Sequence, residues 1–220
     1  MTRNDHPDRP AEPGHDAGTL AFYEENAARY GRETEPPHPP RRLVDFAARL
    51  PEGAFVLDLG AGTGWAAGFL ATLGHRVIAL DAAAAMTRLA GERRGVLAIR
   101  AGFDEVHGRE VLDGIWACHA LQHAPRELLP AFLARLSEAL RPGGWFHLDM
   151  HEARPDEPLT LRDTLGRLYN HYAEEEIRRL LETAGLAIHA FRRKDEHGFD
   201  GRPITTMSIL ARREGEQVDG

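Results

Sequence analysis

A chain of 220 residues that is 42% hydrophobic and 28% charged has material for one sizeable core and too little for two ordinary domains plus linkers. Its apolar runs fall short of a membrane span, no secretory leader opens it, and its single cysteine, Cys118, excludes an internal disulfide framework and fits a reducing cytoplasm. The formal charge of −7 argues against nucleic acid as a partner, and the lone lysine, Lys194, amid abundant arginine reads as the codon usage of a GC-rich bacterium.

Residues 1–18 are polar, rich in proline and glycine and without apolar periodicity, so disorder is expected there. TLAFYEENAARYGRE follows as a helix, with Thr19 as its N-cap and Leu20, Tyr23, Ala27 and Tyr30 on one stripe. EPPHPP ends it, and RRLVDFAARL forms a second helix that buries Leu43, Phe46, Ala47 and Leu50. From Ala54 the apolar runs AFVLDL, HRVIALD, VLAIRA, GIWACH and GWFHLDM alternate with helical text. That rhythm predicts right-handed crossovers and a mainly parallel sheet covered on both faces, within a core domain over residues 51–213. PRELLPAFLARLSEALRPGG is the clearest crossover helix, with Leu128, Phe132, Leu133, Leu136 and Leu140 at core spacing, and EEEIRRLLETAGL closes at Gly185. LAIHAF and ITTMSIL, separated by KDEHGFDGRP, predict an antiparallel hairpin at a sheet edge, ahead of a flexible tail over 214–220.

VLDLGAGTGWAAGFL places Gly60, Gly62 and Gly64 at the carboxyl end of the first strand, where an open parallel sheet binds its ligand. Missing Cβ atoms let the backbone approach that ligand, and a helix starting near Trp65 aims free N–H groups into the same space. Asp81 ends the second strand about 20 residues further on, where a carboxylate accepts hydrogen bonds from ribose hydroxyls. A dinucleotide fingerprint fails because bulky Trp65 stands where its third small residue belongs, and the Walker lysine is missing as well.

This motif, followed in order by HRVIALDAAAAMTRLA, DGIWACHALQHAPRELLPAFLARLSEALRPGGWFHLDM and YAEEEIRRLLETAGL, resembles the class I S-adenosylmethionine-dependent methyltransferases across nearly the whole chain. It looks most like the small, stand-alone bacterial enzymes of the methyltransferase-11/25 type, which act mostly on small molecules. The resemblance implies an α/β fold: a Rossmann-like, seven-stranded, mainly parallel sheet with helices on both faces, a C-terminal antiparallel hairpin, and residues 19–50 as a helical lid. It implies that Gly60, Ala61, Gly62 and Gly64 pass under the methionine and ribose of the cofactor, that Asp58 orients this loop, that Asp81 binds the ribose diol, and that Ala82 and Met86 flank the adenine. Gly102 stands where relatives commonly carry aspartate, leaving Phe103 and Asp104 as the nearest adenine contacts. Cys118 faces the methionine tail, and Trp65, where relatives often carry arginine or a small residue, packs against the cofactor. Tyr23 and Tyr30 either gate the cofactor or pack as an ordinary amphipathic face.

Methyl transfer from a sulfonium is an in-line displacement at carbon, so orientation supplies much of the acceleration and a base is needed only for a protonated acceptor. His119 and His123 follow the fourth strand and are the candidate catalytic residues, because imidazole titrates near working pH. His123 matches a histidine that is often structural in relatives, and His119 is either the base or a hydrogen-bonded loop residue. His147, Asp149 and His151 alternate along the fifth strand and share one side; they make either a polar network or a cluster of metal-ligand type. Without H-E-x-x-H or paired cysteines, no metal is expected. Tyr169 and Tyr172 match a segment that approaches the acceptor cleft in relatives, and with His119 and His151 they are the candidate substrate contacts, while Trp116 is mid-strand core.

The expectation is a cytoplasmic monomer or homodimer that moves a methyl group from S-adenosylmethionine to an oxygen or nitrogen of a small molecule in bacterial secondary metabolism. It releases S-adenosylhomocysteine and has no nucleic-acid or membrane partner. Two alternatives stand beside it: a non-catalytic protein that binds these cofactors, and an NAD(P)-dependent oxidoreductase.

Overall fold

In the computed structural model, which describes residues 15–93 and 95–215, every apolar run from Ala54 onward becomes a strand. These are β1 (Phe55–Leu59), β2 (Arg76–Asp81), β3 (Val96–Arg100), β4 (Leu112–Cys118) and β5 (Leu140–His151), with β8 (Leu186–His197) and β9 (Pro203–Arg213) at the end of the chain. They form one seven-stranded sheet in the order β3-β2-β1-β4-β5-β9-β8. All pairs from β3 to β5 are parallel, and β9 runs antiparallel to both β5 and β8. Parallel neighbours require crossovers, which α3 (Trp65–Thr72), α4 (Ala84–Gly91) and α5 (Leu129–Ala139) supply. Further helices are α1 (Ala17–Thr34), α2 (Arg41–Ala47) and α6 (Glu174–Thr183).

Burial on both faces follows from side-chain alternation. Ile115 and Trp116 are neighbours on β4, yet Ile115 packs with Leu133, Leu136 and Ile177 of α5 and α6, whereas Trp116 packs with Phe46 of α2 and Leu70 of α3. Trp116 is 2% exposed and is core, as its mid-strand position predicts. Among the described residues no helix is long and apolar enough to cross a membrane.

Three departures from the sequence expectations have local causes. Helix α1 starts at Ala17, because Asp16 is its N-cap and accepts from both the backbone N–H and the hydroxyl of Thr19, so Thr19 sits inside the first turn. The expected disorder over residues 1–14 and 216–220 lies outside the described residues. Leu129, the first residue of α5, is the one buried there, while Leu128 lies in a preceding 3-10 turn and is half-buried. The hairpin strands are longer than their apolar text: β8 takes in KDEH, and the turn shrinks to Gly198–Arg202.

An additional ribbon, β6 (Thr160–Arg162) with β7 (Leu168–Asn170), lies between β5 and α6. Three-residue strands carry too little periodicity to read from sequence. Here a buried ion pair between Arg167 and Asp163 (Nε to Oδ2, 2.8 Å) closes the turn, with the guanidinium over the rings of Phe22, Tyr169 and Phe199.

Candidate active site

A cavity opens beyond the carboxyl ends of β1, β2 and β4, at the point where the strand order reverses. Gly60 is the tightest point of its floor. Its φ is +65°, and a Cβ there would lie 2.4 Å from the Cβ of Ala120, so only glycine lets the loop after β1 meet the loop after β4. Gly64, at φ +72°, is the N-cap of α3, and a side chain would strike Ala90 of α4 at 2.7 Å.

Asp81 ends β2 with both carboxylate oxygens engaged, Oδ2 accepting from Gly62 N (2.8 Å) and Oδ1 from Ala83 N (2.9 Å). Burial raises its pKa, against those two hydrogen bonds. Asp58 is more extreme: full burial pushes its carboxyl up to about 7 although it accepts from Ala67 N at 2.9 Å. Asp58 therefore fixes the start of α3 from beneath, and it does not line the cavity.

The helical segment covers this slot. Thr19, Leu20, Tyr23 and Tyr30 of α1 line the cavity, together with His15 and Asp16 just before it. On the α3–α4 side α1 is held down by Glu24, which accepts from Ala84 N and Ala85 N at the start of α4, at 2.6 and 2.8 Å, and by Glu35, which takes the Thr63 hydroxyl and the Arg93 guanidinium.

Of the cofactor contacts expected from sequence, Tyr23, Tyr30, Gly60, Gly62, Asp81, Ala82, Phe103 and Cys118 border the cavity. Ala61, Gly64, Trp65, Met86 and Asp104 do not. Ala61 is turned away by a hydrogen bond to Leu80 O, and Met86 is 1% exposed beneath α1, with Ala27 and Ala83. Trp65 stacks on Phe69 along α3, ring centroids 6.5 Å apart, and so packs against its own helix rather than the cofactor slot. Gly102, Ala83 and Ala120 also line it, and the Gly102 N–H donates to Glu105 Oε2 at 2.7 Å.

On the β4 side the expected histidines separate into distinct roles. His123 has both ring nitrogens engaged, Nδ1 with Leu168 O at 2.6 Å and Nε2 with the Tyr23 hydroxyl at 3.1 Å. A carbonyl only accepts, so Nδ1 donates and Nε2 receives the tyrosine proton; burial drives the ring's pKa down to about 4. His119 lines the cavity with neither nitrogen hydrogen-bonded among the described residues. It adopts φ +53°, a left-handed conformation that costs a non-glycine residue on the order of 1 kcal/mol. Burial lowers its pKa, so the free ring is neutral at physiological pH.

Behind them lies a buried charge network. Asp149 accepts from His147 Nε2 (3.0 Å), Arg42 Nε (2.8 Å) and the Cys118 thiol (3.1 Å). Burial alone would raise the Asp149 carboxyl, but His147, His119 and Arg42 hold it well below the usual carboxylate range. Cys118, His119 and Asp149 bring possible ligand atoms within 4.8 Å of one another, with the Arg42 guanidinium ion-paired to Asp149 beside them. His147 stacks on Trp116 at 3.8 Å and belongs to that network.

His151 is 5% exposed and stacks on Tyr169 (5.0 Å, 7° between planes), with Nδ1 unpartnered among the described residues; neither borders the cavity directly. Tyr172 is 1% exposed under Arg126 in the α6 core and does not border the cavity. Sequence reasoning missed Asp16 and Glu24; the spacing of Asp16 to Thr19 at a helix start was the available signal for the first, and the second has none.

A methyltransferase-domain family model matches residues 30–190. The chain belongs to the class I S-adenosylmethionine-dependent methyltransferases. No curated protein sequence matches it. Among solved structures it is similar to the 1,6-didemethyltoxoflavin-N1-methyltransferase of Burkholderia thailandensis, determined with 1,6-didemethyltoxoflavin and S-adenosylhomocysteine bound (24% identity, 90% of this chain and 88% of that one, TM-score 0.74). It is also similar to a methyltransferase from Methanosarcina mazei (21%, 77% and 96%, TM-score 0.66) and to DhpI in complex with S-adenosylhomocysteine (23%, 92% and 98%, TM-score 0.67). At these identities the structures speak to the fold, which is that of the methyltransferase, and S-adenosylmethionine is its cofactor.

Proposed function

We propose that this methyltransferase moves the methyl group to an oxygen or nitrogen of a small molecule, with His119 as the base that removes the acceptor's proton. The carrying observation is the contrast between the two loop histidines. His123 is committed to Leu168 and Tyr23, while His119 borders the cavity with both ring nitrogens free of hydrogen bonds among the described residues and its ring neutral. S-adenosylmethionine supplies, when bound, a methyl group already activated on a sulfonium. The residues present fit it: a Cβ at Gly62 would enter open space beside the cavity, and Asp81 offers a half-buried carboxylate next to it. Gly60 and Gly62 would pass beneath it, Asp81 would accept from the ribose hydroxyls, and Ala82, Gly102 and Phe103 would border the adenine. Tyr23, Tyr30 and Cys118 would face the methionine end, with α1 closing over the slot to exclude water.

A small acceptor suits a cavity roofed by a helix, and a net charge of −7 argues against nucleic acid. The Burkholderia relative's heterocyclic ligand supports the same class. His151 and Tyr169, stacked behind His119, would back the acceptor. A cytoplasmic biosynthetic role in a GC-rich bacterium accords with the composition.

The test is incubation with S-adenosylmethionine and a panel of phenols and N-heterocycles, with product and S-adenosylhomocysteine followed by mass spectrometry. His119→Ala is expected to slow turnover about a hundredfold while leaving S-adenosylhomocysteine affinity within twofold. Full activity of that variant removes His119 from the role. Tight cofactor binding with no acceptor methylated favours a non-catalytic binding protein.

A further inference from the structure

The base proposed above has a neighbour that none of the methyltransferase motifs contains. Glu196 lies on β8, at the far edge of the sheet, yet its Oε1 stands 3.7 Å from His119 Nε2. The long hairpin makes this possible, because β8 and β9 run past the carboxyl ends of β4 and β5 before turning at Gly198–Arg202. The carboxylate is not left to swing. Oε1 accepts from the Thr206 hydroxyl at 2.6 Å, Oε2 accepts from Lys194 Nζ at 2.7 Å, and Thr206 is 3% exposed and pairs with His151 across β5. The side chains of Glu196 and His119 are 23% and 27% exposed, shielded enough for a charge at this distance to count.

We propose that Glu196 is the positioning residue for His119: it holds the imidazole so that Nε2–H faces the carboxylate and leaves the Nδ1 lone pair for the acceptor's proton. This rests on the reading of His119 as the base. As the acceptor's electron pair forms its bond to the methyl carbon, the old carbon–sulfur pair stays on sulfur and the acceptor's proton passes to Nδ1. The resulting imidazolium faces the Glu196 carboxylate, which stays ionised, and the proton then leaves to water. Other charged and titratable groups surround the ring: Asp149, His147 and His151 on β5, Arg42 on α2, and His123 and Cys118 on either side in the chain. Asp149 also favours the protonated ring, but Arg42, His147 and Cys118 occupy it, which leaves Glu196 as the carboxylate facing Nε2.

The decisive measurement needs no acceptor. Ring 15N and 1H signals of histidine-labelled protein report the tautomer and titration of His119, assigned by its loss in His119→Ala. In the unsubstituted protein, neutral His119 is expected to carry its proton on Nε2, and Glu196→Gln is expected to lower its midpoint by about one pH unit, with Glu196→Asp in between. With whichever phenol or N-heterocycle the panel identifies, Glu196→Gln should lower kcat roughly tenfold and move the acid limb of the pH profile the same way, with S-adenosylhomocysteine affinity and melting temperature retained. An unchanged tautomer and midpoint in Glu196→Gln overturns the pairing. Slow His119→Ala beside a Glu196→Gln enzyme of normal rate and pH profile overturns only this inference, whereas a fully active His119→Ala overturns the base reading beneath it.

Discussion

On the β1–β2 side of the cavity burial pushes the pKa values of two carboxylates, Asp58 and Asp81, up; on the β4–β5 side it pushes those of the imidazoles His119, His123 and His151 down, behind which the Asp149 carboxylate is held low by its cationic partners. Both shifts come from one cause, the cost of charge in a poorly solvated place, acting on groups of opposite sign. The consequences differ. Carboxylates held by backbone N–H groups of Gly62, Ala67 and Ala83 shape a rigid slot, whereas neutral rings supply lone pairs beside the place where a proton has to be taken up.

The largest expected effect breaks the first half of this contrast. A folded-state pKa near 7 for Asp58, against about 4 in an unfolded chain, means that its stability contribution is fully present below pH ~4 and is lost as pH rises through 7, a difference of about 4 kcal/mol. Asp58→Asn keeps an acceptor for Ala67 N and should flatten that decline in urea denaturation between pH 4 and 8. A variant with the wild-type slope would show that Asp58 does not carry it. His123 has the opposite sign: its depressed pKa of about 4 makes stability rise between pH 4 and 6.5, so the two halves partly cancel in the unsubstituted protein.

Next comes Asp81→Ala, which should weaken S-adenosylhomocysteine binding about a hundredfold in calorimetry, since it removes the ribose acceptor and frees Gly62 N and Ala83 N. Retained affinity would move the cofactor's anchor elsewhere. The smallest effect is Tyr23→Phe. It leaves the buried His123 Nε2 without its donor and should cost about 1 kcal/mol in folding free energy while His119 titrates as before. A shift in the His119 midpoint in that variant would join the two histidines into one unit and blur the distinction drawn between them.

Legibility in the sequence follows the range of the interaction. The strand segments, the glycine loop and Asp81 are carried by contiguous or periodic text, and each appears where that text implies. Trp65 departs from it, because its partner Phe69 lies one helical turn away on α3 and draws the ring along the helix. The β6–β7 ribbon depends on a buried Arg167–Asp163 pair and on rings from α1 and the β8–β9 turn, which no local pattern records.

The sequence by itself determined the fold class and the carboxylate at the end of β2, because backbone geometry and alternation act over a few residues and leave a repeating trace, and its resemblance to the methyltransferases named the cofactor. Only the tertiary structure decided which histidine is free. That choice rests on the Leu168 carbonyl 45 residues from His123 and the Tyr23 hydroxyl 100 residues away, and on Glu196 brought to His119 by the long hairpin. Burial and charge are properties of the assembled chain, so a lone imidazole acquires its protonation state and its role only when distant elements close around it.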